Sequence, residues 1–188
     1  MFASIALFAF FIGFAIFLLT TVLFLQGTWH YSTVRAGLAI TPGPATAALF
    51  AVNAGRLSAR FGRTMPAVAG ASLMAVSAAD WMIATPATPD YAVAFLPGLL
   101  VGGASAGLAQ APLFAAAGTL APERATTGSA VLNMSRQIGS AVGVAVAVGF
   151  LGVASVHSLG AFHDAWAAEI GAGTLAGLAA AGTGRRSR

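Results

Sequence analysis

The sequence predicts an all-α membrane protein, a bundle of six transmembrane helices. Three observations carry that expectation. The 188-residue chain is 58% hydrophobic and only 7% charged, whereas soluble domains carry about 25% charge. Its charges are clustered and leave long uncharged stretches, and a helix needs about 20 apolar residues to cross the hydrocarbon core. Short segments rich in Arg, Pro and aromatics separate those stretches. No soluble core of this length could hide so much apolar surface, so the lipid bilayer is the natural solvent.

No charge falls between Met1 and Val34. The first span is placed at residues 3–25. It lacks a positive n-region and outlasts a signal-peptide h-region, so it reads as a retained span. Residues 26–32 form an interfacial turn, with Trp29 and Tyr31 in the aromatic belt. Arg35 and Arg56 bracket the second span, residues 36–55. Pro42 and Pro44 lie inside it, which membrane helices tolerate when neighbouring groups re-satisfy the backbone. Arg56, Arg60 and Arg63 fill the next loop, and residues 66–84 form the third span. Residues 85–90, with two prolines, form a turn before the fourth span at residues 92–118. Pro122, Glu123 and Arg124 mark a short polar loop. The fifth span, residues 128–154, is interrupted by Arg136, and residues 157–164 turn into a sixth. That last span, residues 165–181, is short, Ala/Gly-rich and holds Glu169. The spans make one domain, residues 1–184, with a basic tail at 185–188.

Nine arginines, no lysine and five carboxylates give a net charge of +4. No basic cluster is interleaved with aromatics, which sets nucleic acid aside. With six spans both termini share one side, together with the Arg56–Arg63 loop, Arg124 and the arginines of the tail. The opposite loops hold only Arg35. Short Arg-rich loops stay cytoplasmic, so both ends are expected inside.

The fifth span holds the sharpest constellation. Ser129, Asn133, Arg136, Gln137, Ser140 and Gly143 recur at spacings of three and four, which puts them on one helical stripe. An Arg at the centre of a span costs about 2.5 kcal/mol or more, so it rarely faces lipid. The stripe either faces a substrate path or domain hinge, or Arg136 snorkels to the cytoplasmic surface from about two turns away. Gly98, Gly102, Gly103 and Gly107 in the fourth span allow close helix approach, and Gln110 extends the Gly103–Gly107 face. Thr46 and Asn53 share a face of the second span. Asp80 and Glu169 are the carboxylates within predicted spans and candidates to carry a proton, although both are expected near the outer surface, with Asp80 beside Trp81 as an interfacial anchor. His30, His157 and His163 have no ligand spacing, so no metal or other cofactor is expected. No nucleophile–base pair, phosphate loop or dinucleotide fingerprint points to an enzyme.

The run Gly55-Arg56-Leu57-Ser58-Ala59-Arg60-Phe61-Gly62-Arg63 resembles the Gly-x-x-x-Asp-Arg-x-Gly-Arg signature of the major facilitator superfamily. Ala59 stands where the first-half copy has Asp, as in the degenerate second-half copy. Physically, Gly62 permits a tight turn and the arginines hold the loop at an anionic surface. The order of segments is more specific. AGLAITPGPATAAL (36–49), the Arg loop, a Gly-rich span and APERATTGSAVLNMSRQIGSAVGVAVA (121–147) together look like the closing six spans of the fourteen-span drug:proton antiporters. The resemblance implies the C-terminal half of a major facilitator fold in a bacterial plasma membrane. It also implies proton-driven export of small hydrophobic, often cationic, compounds. A substrate site between two halves implies a partner, either an N-terminal half or a second copy of this chain. The contrasting expectation is a non-transporting remnant or an assembly partner.

Overall fold

The computed structural model describes residues 2–115, 122–153 and 158–184. Among them are seven α-helices and no strand. Helix α1 (Phe2–Leu23) is continued by a π-helical turn, Phe24–Thr28. Ser32 caps α2 (Thr33–Ile40) by accepting the Arg35 amide, which satisfies one of the orphan donors of a first turn. α3 follows at Pro42–Phe61. The stretch expected as one span is thus divided at Thr41. Pro42 and Pro44 have no amide hydrogen to give back to the preceding turn, and the Thr41 amide instead donates to the Leu38 carbonyl at 3.2 Å.

Gly62 ends α3 with φ 79, a left-handed conformation that costs glycine little. α4 (Thr64–Ala84) starts immediately after it. The Asp90 side chain accepts the Val93 amide and caps a second π-helical turn, Tyr91–Phe95, which leads into α5 (Leu96–Phe114). α6 covers Pro122–Val153 and α7 Leu159–Gly184. Two expectations change here. α6 runs through Arg136 without interruption. α7 is a 26-residue helix that begins six residues earlier than the sequence indicated. His163 and Asp164 lie in its early turns, because Phe162 and Trp166 on the same helix are fully buried in the aromatic core and hold that segment against the bundle.

The helices pack in the order α6, α1, α7, α4, α5, α3, with α3 and α6 on the two flanks and α1 also touching α5. In lipid no hydrophobic effect pulls helices together, so close backbone approach and ring packing carry the association. Gly103 and Gly107 of α5 face α3, and a Cβ on them would lie 2.4 Å from the Gly43 carbonyl oxygen and 2.3 Å from that of Ala47. Gly139 and Gly143 bring α6 equally close to the Phe8 and Ile12 carbonyls of α1. Gly98 and Gly102 serve differently and make room for the rings of Trp81 and Phe17.

The chain returns repeatedly to the same two ends. At one, Arg63 Nη1 donates to the Ala115 carbonyl at 2.9 Å, and the Thr64 and Thr183 hydroxyls are 3.4 Å apart. At the other, Trp29 Nε1 donates to the Pro86 carbonyl at 3.1 Å and the Tyr91 hydroxyl to the Ala39 carbonyl at 2.6 Å. Trp29 and Tyr31, at the end of the first membrane-length stretch, are buried against the bundle. They close the bundle with Phe24, Phe95, Phe162 and Trp166, and the Phe24 and Phe162 rings meet edge to face at 5.0 Å. Among the described residues, four helical stretches are long and apolar enough to cross a membrane: Phe2–Thr28, Thr64–Ala84, Tyr91–Phe114 and Thr126–Gly152.

Candidate functional site

The close approach of α5 to α3 leaves space on the α1 side. A partly open cavity of ≈ 680 Å³ lies between α1, α3 and α5, within the range of drug-sized ligand sites, about 300–1,000 Å³. α1 supplies Phe14, Phe17, Leu18, Thr21 and Val22. α3 supplies Gly43, Pro44, Ala47, Ala48 and Ala51, and α5 contributes Leu99, Gly103, Gly107, Gln110 and Phe114. Among the described residues, no charged residue lines it. The Thr21 hydroxyl donates to the Phe17 carbonyl of its own helix at 2.6 Å. The Gln110 amide is therefore the side-chain group on the wall best placed to orient an apolar ligand.

The cavity adjoins the flanking helix α6 through one aromatic ring. Phe11 packs at 5.9 Å from Phe14 and 6.2 Å from Phe114, both cavity residues. The Arg136 guanidinium lies 5.6 Å above the Phe11 ring, in reach of a cation–π attraction. Arg136, Asn133 and Gln137 are exposed on the isolated chain, and Ser140 is half-buried. Asn133 donates to the Ser129 carbonyl at 3.3 Å. The Asn133, Arg136 and Gln137 part of the stripe thus lies on a surface the chain itself leaves uncovered, while Gly143 packs against α1. α6 starts at Pro122, so Arg136 sits nearly four turns into the helix at about 3.6 residues per turn.

The other predicted residues are dispersed. Asn53 is half-buried and donates to the Leu49 carbonyl at 2.9 Å, outside the cavity lining. Gly55, Arg56 and Arg60 are exposed near the end of α3. Arg63 has a role the sequence did not announce, since it caps the C-terminal end of α5 through Ala115, where free carbonyls attract cations. Asp80 is half-buried one turn before the end of α4, and its Oδ2 is buried without a hydrogen-bond partner. Glu169 is fully buried, with neither carboxyl oxygen hydrogen-bonded. It lies ten residues into α7 and its backbone faces Gly13 in the middle of α1, so it is not near a helix end as expected. Arg124 and the 185–188 tail lie outside the residues whose side chains are described, as does His157. Among the described residues no three His, Asp or Glu side chains converge as metal ligands would.

The cavity's apolar residues were not separable from other apolar residues in the sequence. Phe14 and Phe114 carry no signal that Phe10 lacks.

The model of the Major Facilitator Superfamily matches residues 1–144. The puromycin resistance protein pur8 of Streptomyces alboniger is 32% identical over 139 residues, which cover 71% of this chain and 27% of that protein. The chain therefore spans little more than a quarter of the curated relative it matches. No solved structure matches it. A family match over most of the chain, on an all-helical fold with membrane-length apolar helices, makes this an integral membrane protein and a member of the Major Facilitator Superfamily.

Proposed function

We propose that the chain is the C-terminal six-span half of a secondary active transporter that exports hydrophobic drug-like compounds in exchange for protons. It acts with an N-terminal half or with a second copy of itself. The observation that carries this reading is the apolar cavity between α1, α3 and α5, joined through Phe11 to the exposed polar stripe of α6. A cavity of this lining accepts an apolar body and offers one amide to it. Gln110 and, across the Phe11 ring, Arg136 with Asn133, Gln137 and Ser140 would line one substrate path. Asn53 belongs to the neighbouring packing face.

The likeness to a puromycin resistance protein supports export of an aromatic antibiotic-like compound. The shared end of Phe2, Arg63, Ala115 and Thr183 supports residues 1–184 as one up-and-down unit of six passes. In this orientation the signature loop of Gly55, Arg56, Arg60, Gly62 and Arg63, both termini and the 185–188 tail face the cytoplasm of a bacterial plasma membrane.

Dye efflux from proteoliposomes under an imposed proton gradient tests the reading, after crosslinking has fixed the oligomeric state. Efflux that appears when an N-terminal half is added, or in a dimer, is expected. Gradient-driven efflux by a demonstrated monomer refutes the need for a partner. Absence of efflux in every assembly favours a non-transporting assembly role.

A further inference from the structure

We propose that Glu169 is a proton-binding site at the contact of α1, α4 and α7, so that protonation and cavity occupancy act on one shared helix, α1. This rests on the proton-coupled reading above.

The geometry begins with Gly13. A Cβ there would lie 2.5 Å from Met74 Sδ, 3.3 Å from Ala172 Cβ and 3.6 Å from the Glu169 carbonyl oxygen. α1, α4 and α7 therefore meet closely at Gly13, beside the Glu169 backbone of α7. Its carboxyl is wholly buried and neither oxygen has a hydrogen-bond partner. Four residues further along α1, Phe17 lines the cavity and stacks on Trp81 at 5.2 Å, and Trp81 lies 6.0 Å from Trp166, one turn before Glu169 on α7.

Among the described side chains, the packed elements offer the carboxyl no counter-charge. α1 has no titratable residue. Asp80, the one on α4, lies against Gly98 of α5. Of the described side chains of α6, Arg136 is the one that is charged, and it is directed over Phe11. On α7 itself, His163 lies 5.7 Å from Trp166, one turn beyond it, and Asp164 is exposed. A carboxyl in such a place has one small ligand available, a proton, and gaining or losing it changes the cost of the α1–α4–α7 contact. Phe17 lies one turn from Gly13 on the same face of α1, so a change at this contact reaches the cavity wall through Phe17 and its stack on Trp81.

Trp166 makes the site observable in the full chain without any transport assay. Tryptophan fluorescence of the purified chain is titrated with pH for wild type, Glu169→Gln and His163→Ala. A transition present in wild type and in His163→Ala but lost in Glu169→Gln is expected. The same transition in Glu169→Gln, or its loss in His163→Ala alone, overturns the site. Far-UV circular dichroism and thermal melting guard against misfolding, with Glu169→Leu as a second variant. Both variants are expected to melt no lower than wild type, since each removes an unpartnered carboxyl from a buried position. A large loss of melting temperature in both marks Glu169 as a packing residue and overturns the proposal. Failure of efflux with every partner leaves this titration untouched and bears on the transporter reading alone.

Discussion

Adding one methyl group at Gly107 should separate α5 from α3. A Cβ at this position would lie 2.3 Å from the Ala47 carbonyl oxygen, 2.9 Å from the Ala51 amide nitrogen and 2.9 Å from Phe50 Cβ. Carbon and oxygen rest at about 3.3 Å or more, so the two helices must part by about 1 Å. The obstructing atoms include α3 backbone, and no side-chain rotation can clear them. Overpacking of this kind costs about 1–3 kcal/mol. Against it stands the gain of about 1 kcal/mol in helix propensity from glycine to alanine. Gly171→Ala supplies the control, because Gly171 is exposed in α7 and has nothing within 4 Å of its Cβ position. It takes the same propensity gain without the clash. The difference between the two variants, read as SDS-driven unfolding free energy in detergent micelles, should be about 1–3 kcal/mol in favour of Gly171→Ala. Equal stabilities would refute the close α3–α5 contact and, with it, the position of the cavity between those helices and α1.

Reporter fusions after Arg63 and after Asp90 should fall on opposite sides of the membrane, because α4 crosses between them; the same side for both would sink the topology. The chain has no cysteine, so single-cysteine variants from Ser129 to Gly143 can be labelled without background. In the assembled protein, lipid-soluble label should avoid positions 133, 136 and 140, and a peak there would place Arg136 against lipid. Arg63→Ala should free the Ala115 carbonyl and lower stability by under about 1 kcal/mol, while Arg63→Lys keeps part of it; equal melting of wild type and Arg63→Ala would remove the cap.

The sequence alone determined the solvent and the class of this protein. Seven per cent charge over 188 residues leaves an aqueous fold no surface, and a bilayer in turn requires every backbone group to be satisfied within helices. The Arg loop with Gly62 was legible for a related reason, since a left-handed turn and clustered cations leave marks in residue type. Contacts between helices left weaker marks. The Gly103–Gly107 spacing indicated close approach, but not that α3 would receive it. Gly98 and Gly102, at the same kind of spacing, accommodate aromatic rings instead. The break at Thr41 was written in two prolines and understated. The length of α7 was missed because Phe162 and Trp166 hold its early turns by tertiary burial, which overrides the turn-like look of His157 to Asp164. Only the tertiary structure decided which phenylalanines face a cavity and which face a neighbour. In an apolar helix every side is apolar, so periodicity no longer distinguishes inside from outside. Glu169 was visible as a carboxylate in a span, but its place in the helix followed from the unforeseen start of α7, and its burial depends on where Gly13 and Met74 lie in space.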